Sequence, residues 1–205
     1  MGTKEKILQE ALCQFNTLGV ELVTTRHIAH ALSISQGNLH YHYPSRNALI
    51  EALFNQFAQV SREGDEKDID PLDHREVLIS VRDAFDRMYA YRFLFKDNEV
   101  VWRRLPEMRE KMIEIFNRLQ DRIDRLIESY QKAGYISEQT TDAQLYNLAE
   151  QFVFTATTWL NASEYRSRPR RGMTEADHYA RFAFRIWLPY LNQEQQQALQ
   201  EVLDR

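Results

Sequence analysis

The chain has a single cysteine, Cys13, in 205 residues. An internal disulfide is therefore excluded, and a reducing compartment fits. Breakers are also scarce, with 6 glycines and 5 prolines, which favours long helices over the many tight turns of an all-β fold. No stretch approaches the roughly 20 consecutive apolar residues of a membrane span. The opening run MGTKEKILQEAL carries charge from Lys4 onward and is unlike a signal peptide. The expectation is a soluble, cytoplasmic protein with no membrane partner. Positive charge is not in excess either: the formal net charge is −4, so any nucleic-acid contact must be local. What is present is a hydrophobic fraction of 43%, enough for a real core and against disorder.

Apolar residues recur at helical spacing through most of the chain. Ile7, Leu8, Ala11, Leu12, Phe15 and Leu18 form one stripe, and Gly19 supplies a stop. Thr25 is expected to cap a second helix carrying Ile28, Ala29 and Leu32. Ser33-Ile34-Ser35 reads as a tight turn with a buried centre. Ser35 then caps a short third helix that Pro44 ends, because proline disfavours helical geometry in the residue before it. Ser45 caps a fourth helix with Leu49, Ile50, Leu53, Phe54 and Phe57 inward. Residues 64–74 are acidic and broken by Gly64 and Pro71, which reads as a linker. Helical period returns over 75–95, then over a long helix from Pro106 to Gly134. Asp142 is expected to cap a helix running to about Tyr165, and Thr174 one ending near Pro189. A glutamine-rich helix over about 193–204 closes the chain. No strand is predicted.

Two short helices joined by a tight turn, with a longer helix before them, make a helix-turn-helix bundle. The second helix of such a pair fits the DNA major groove, which is about 12 Å wide. Gly37 lets the backbone lie close to DNA, and Gln36, Asn38 and His40 can hydrogen-bond base edges. Leu39 points back into the bundle, with Tyr43 on its side one turn later.

The run TTRHIAHALSISQGNLHYHYPSRNALIEAL resembles the N-terminal signature of the TetR family of transcriptional regulators. The matching features are Phe15, Gly19, Thr25, Ile28-Ala29, Leu32, Ser35 and Leu39. Tyr41-His42-Tyr43, Ser45-Arg46 and Leu49 follow at the same spacing. The likeness covers residues 3–53. Farther on, Tyr91-Arg92-Phe93-Leu94-Phe95-Lys96-Asp97, followed by Pro106, resembles one subgroup of the family's repressors.

The resemblance implies an operator-binding role residue by residue. Thr25 should meet a phosphate and Arg26 should point toward the groove. Gln36, Gly37, Asn38 and His40 should line the recognition helix, with Tyr41 and His42 leaning on the sugar-phosphate backbone. Arg46, where the family usually has lysine, should hold a phosphate. His40 departs from the tyrosine most common there, which leaves base preference open at that position. Over residues 1–46, Lys4, Lys6, Arg26 and Arg46 face Glu5, Glu10 and Glu21, a net of +1 from four cations and three anions. His40 and His42 can each gain a proton beside phosphate. Operator binding is therefore expected to strengthen as the pH falls from about 8 to about 6.

Other constellations carry less. His27 and His30 stand three apart on one helix, but no cysteine and few carboxylates lie near them in sequence, so no metal site is expected. Glu175-x-x-His178 is half of a di-iron carboxylate pattern and reads as a solvated helix face. Arg166, Arg168, Arg170 and Arg171 beside Pro169 read as a solvated basic loop. No nucleophile–base pair is apparent, and no catalytic residue or cofactor is assigned.

The later helices are rich in aromatics: Phe93, Phe95, Trp102, Phe116, Tyr130, Tyr146, Phe152, Phe154, Trp159, Phe182, Phe184 and Trp187. Most must be core. An aromatic-lined pocket is also the usual small-molecule site, and the resemblance implies one. The helices over about 142–164 and 174–189 look too apolar to face solvent. On the first, Leu145, Leu148, Ala149, Phe152, Val153, Ala156, Trp159 and Leu160 are expected at a seam with a second copy. On the second, Tyr179, Phe182, Ala183, Ile186, Trp187 and Tyr190 are expected there.

The reading is an all-α homodimer. Residues 1–46 form a three-helix DNA-binding domain, 47–63 a connecting helix, and 75–205 a helical domain for ligand binding and dimerisation. Its partners are a palindromic double-stranded operator, a second copy and a small-molecule effector, and its action is ligand-responsive repression. The rival readings are an activator or ligand-independent regulator of the same architecture, and a helical adaptor or enzyme that kept the helix-turn-helix shape.

Overall fold

The computed structural model describes residues 2–165 and 172–204. Among them are eleven α-helices and no strand beyond one isolated bridge between Ile136 and Leu191. The helices are α1 (Thr3–Leu18), α2 (Thr25–Ala31), α3 (Gln36–His42), α4 (Arg46–Asp65), α5 (His74–Ala90) and α6 (Phe93–Lys96). They continue with α7 (Asn98–Arg104), α8 (Glu107–Lys132), α9 (Asp142–Ala162), α10 (Glu175–Arg185) and α11 (Gln193–Asp204). The basic cluster at Arg166, Arg168, Arg170 and Arg171 lies outside the described residues.

The chain forms two compact units. One comprises Met1–Arg62 with Ala90–Ile113, the other Glu63–Tyr89 with Glu114–Arg205. This division differs from the expected segments 1–46, 47–63 and 75–205, because 90–113 joins the N-terminal helices. Its ties to the end of α1 explain why. Asn16 Nδ2 donates to the Ala90 carbonyl at 2.8 Å, and Asn16 Oδ1 accepts from the Phe93 amide at 3.1 Å. Asp97 Oδ2 accepts from the Val20 amide at 2.7 Å. Gly19 makes that approach easy: its φ is +82°, and a Cβ there would stand 3.3 Å from Asp97 Oδ2. Phe93 packs on Phe15 with ring centroids 5.3 Å apart, and Phe95 meets Phe57 edge-on at 5.5 Å.

Within this unit Ile7, Leu8, Ala11 and Phe15 are buried, as the period of α1 requires, whereas Leu18 is exposed at its end. Two caps lie one residue upstream of the expected ones. Thr24, not Thr25, caps α2, its Oγ1 accepting from the His27 amide at 3.2 Å. Likewise Thr141, not Asp142, caps α9 through the Gln144 amide. Asp142 sits instead in the first turn, where a carboxylate favours the helix dipole.

The second unit buries Trp159 and Trp187. Trp159 stacks on Phe85 at 5.4 Å, while Trp187 meets Tyr130 at 5.3 Å and Phe184 at 6.1 Å. Most residues expected at a dimer seam are in fact this unit's own core: Leu145, Leu148, Phe152, Ala156, Trp159 and Leu160 are buried within a single chain. Of the expected residues Phe182 does face outward, at 50% exposed, and α9 adds Tyr146 at 66% and Phe154 at 68%, which were not expected at the seam.

Candidate nucleic-acid interface and ligand cavity

The α2–α3 pair is fixed by its ends. Ser33 adopts a left-handed conformation with φ +54° just after α2. The Ile34 amide donates back to the Ala29 carbonyl at 3.0 Å, closing the helix in the manner of a Schellman end. Ile34 is half-buried rather than fully inward. Ser35 Oγ then accepts from the Asn38 amide at 3.1 Å and starts α3. Leu39 is fully buried and Tyr43 is 5% exposed, so one side of α3 is pinned. Gln36, Gly37, Asn38, His40 and Tyr41 are exposed on its remaining surface, and His42 is half-buried against the Tyr41 ring.

The other expected contact residues sit at different distances from this face. Thr25 is half-buried, and its Oγ1 lies 3.3 Å from His40 Nε2, so the start of α2 and the middle of α3 meet there. Arg26 is exposed. Arg46 also binds the protein itself. Its Nη1 turns inward and donates to the carbonyls of Val20, Glu21 and Val23, each at 3.0 Å. Burial pushes its guanidinium below the ordinary arginine value; Arg104 adds to this and Glu21 opposes it. His27 also has a structural task, its Nδ1 accepting from the Thr24 amide at 3.4 Å. Among the described residues no group of three His, Cys, Asp or Glu side chains gathers to hold a metal.

A cation that the sequence reading did not assign to the interface is Lys4. Its Nζ lies 5.8 Å from the Tyr43 ring centroid, placing a positive charge at the end of α3. Only tertiary packing brings it there from α1. The assembled face is short, polar and without a carboxylate of its own. It can offer amide, imidazole and phenol groups to base edges and phosphates.

The second unit contains a half-open cavity of about 340 Å³, within the usual range for small-molecule sites. Phe85 and Met88 of α5, Ile123 and Leu126 of α8, and Phe152 and Ala156 of α9 wall it. Asp65, Lys67, Asp68, Arg122 and Arg125 give it a charged rim. Of the aromatics singled out above, Phe152 borders the cavity; Phe85, within the 75–95 helical period but not singled out, is its other ring.

The family profile described as bacterial regulatory proteins of the tetR family matches residues 7–53. A second profile, TetR, described as bacterial transcriptional repressor, matches residues 46–199. Among solved structures, the chain is similar to a TetR-family transcriptional regulator from Marinobacter aquaeolei VT8. The two are 26% identical over 100% of this chain and 98% of that one, with a TM-score of 0.86. The fold recurs in a ketosteroid transcriptional regulator of Mycobacterium tuberculosis, at 14% identity over 94% and 96% of the two chains and a TM-score of 0.66. It also recurs in a tetR-family regulatory protein from Rhodococcus RHA1, at 18% identity over 91% and 97% and a TM-score of 0.65. With a helix-turn-helix at one end, a cavity among its later helices and both family profiles matched, the chain belongs to the TetR family of bacterial transcriptional regulators.

Proposed function

We propose that this regulator is a cytoplasmic, ligand-responsive repressor that occupies a palindromic operator as a homodimer. The observation that carries the reading is α3. Leu39 and Tyr43 anchor the helix from below, while Gln36, Gly37, Asn38 and His40 face outward as one polar surface. Gln36 and Arg26 read bases, Thr25, Tyr41 and His42 touch the backbone, and Arg46 holds the loop before α2. Tyr146, Phe154 and Phe182 support the dimer, since solvent-facing helices seldom expose three large aromatics. The cavity supports an effector site. An effector that binds better when the two DNA-binding heads are wrongly spaced weakens operator affinity, and operator weakens effector binding by the same factor.

The test begins with genomic DNA fragments retained by the purified protein and sequenced. A palindrome with half-sites about one turn apart, roughly 10 bp, or a multiple of it is expected. Gln36→Ala should then cost about 1–3 kcal/mol on that operator and little on random DNA. Absence of salt-sensitive retention would instead favour an adaptor or enzyme built on the same shape.

A further inference from the structure

Asp65 ends α4 and borders the cavity beside Arg122 of α8. Arg122 Nη1 donates to Asp65 Oδ1 at 2.7 Å, and its Nη2 donates to Ser80 Oγ at 3.0 Å. Arg118 Nε reaches Asp65 Oδ2 at 3.5 Å. A third guanidinium, that of Arg87, packs on the backbone beside Asp65: a Cβ on Gly64 would stand 2.5 Å from Arg87 Cζ. Burial pushes Arg87 below the ordinary arginine value, with Asp65 and Asp83 opposing and Arg122 adding to the effect. Asp83 is meanwhile held by Lys67 at 2.7 Å. Three guanidinium groups thus gather around one carboxylate at the rim of an apolar cavity. The Arg122 and Asp65 side chains keep 21% and 22% of their surface exposed, so Asp65 has solvent to move into.

We propose that the effector of this cavity is a compact amphipathic monoanion whose carboxylate takes the place of Asp65 on Arg122. Its aliphatic or aromatic body lies against Phe85, Met88, Ile123 and Phe152. The inference rests on reading the cavity as the effector site. The exchange trades one charge-assisted pair for another, so the net gain comes from burying the ligand's apolar body. A cationic ligand would have to draw Asp65 away from its arginines and would face three like charges. A neutral one would leave the cluster as it is. The exchange also breaks the shorter of the two ties from the last residue of α4 to α8, leaving that to Arg118.

The test uses the whole protein, titrated calorimetrically at neutral pH with octanoate and hydrocinnamate, with their amides, and with octylamine. At least one acid should bind, with its amide weaker by about tenfold, the worth of one charge-assisted hydrogen bond. Octylamine should bind no better than octanamide. Asp65→Asn, which removes the competing charge, should tighten the acid severalfold. Arg122→Gln should bring acid and amide to parity. Ala84 also lines the cavity, so Ala84→Trp, which fills it, should abolish binding while far-ultraviolet circular dichroism reports an unchanged helical content. If acid and amide bind alike and Ala84→Trp removes both, the cavity is a ligand site but the anionic class is wrong. If Asp65→Asn leaves or weakens acid binding, the exchange is wrong. If no probe binds, or binding survives Ala84→Trp, the effector site itself is misassigned and the proposal falls with it.

Discussion

Arg46 Nη1 donates to the Val20 carbonyl at 3.0 Å, and through the Glu21 and Val23 carbonyls it holds the whole loop between α1 and α2. Hydrogen bonds from a charged donor contribute about 1.5–3 kcal/mol. Arg46→Ala should therefore lower the stability of the DNA-binding helices by about that amount, read as faster amide exchange across α1–α3. Operator and random DNA should lose affinity alike. The salt slope should fall by less than the full unit expected of a phosphate-bound arginine. Unchanged amide exchange would show that the loop does not need this side chain.

His74 is buried between two fixed partners. Gln195 Oε1 can only accept, so Nε2 at 2.9 Å carries the imidazole proton, and Nδ1 accepts from the Tyr130 hydroxyl at 2.7 Å. Burial pushes this histidine below its ordinary value, against the opposing effects of the Gln195 bond and Asp73. The unfolded chain, with a value of about 6.5, then takes up the proton more readily than the folded one. The resulting stability is fully present above about pH 6.5 and is lost as the pH falls below it. Urea unfolding should show a falling midpoint between about pH 7 and about pH 5. His74→Gln should flatten that dependence and cost about 1–2 kcal/mol at neutral pH. Equal slopes for the two proteins would remove His74 as the source.

What the sequence made legible was what local chemistry decides. Ser35 and Pro44 bracket α3, and Pro106 and Gly134 bracket α8, because caps and breakers act within a turn. The caps of α2 and α9 slipped by one residue where two capping types stand side by side, Thr24-Thr25 and Thr141-Asp142. Residues 90–113 were assigned elsewhere because their anchors, Asn16 and Asp97, are 74 to 77 positions from the groups they bind. The inward turn of Arg46 is a rotamer choice that spacing does not encode. On α9 both faces are apolar, so periodicity found a core face without saying whether the core belonged to one chain or two.

The outward aromatics provide a direct check on assembly. Phe154 and Phe182 are 68% and 50% exposed, and neither belongs to the buried core. Phe154→Glu with Phe182→Glu should leave helical content intact while shifting the sedimentation mass at micromolar concentration from dimer to monomer. Truncating central interface aromatics commonly costs 2 kcal/mol or more, and a buried carboxylate adds to that. Operator affinity should fall with dimer content. A dimer that survives both substitutions must use another face.

Gly37 separates the needs of the fold from those of DNA. It sits in α3 with an ordinary backbone conformation, and a Cβ there would meet nothing nearer than Ser35 Oγ at 3.9 Å. The protein therefore has room for alanine, and a helix favours alanine over glycine by up to about 1 kcal/mol. Gly37→Ala should hold or raise the thermal midpoint. If the helix lies in the major groove with Gly37 facing the duplex, the added methyl pushes the backbone away from DNA. Contacts made by Gln36 and Asn38 on either side would lengthen, and operator affinity should drop about tenfold or more, since each good base contact contributes about 1–3 kcal/mol. The two measurements should thus move in opposite directions, which a simple folding defect cannot produce. Operator binding as tight as wild type in a fully stable Gly37→Ala protein would mean that this part of α3 does not approach DNA closely.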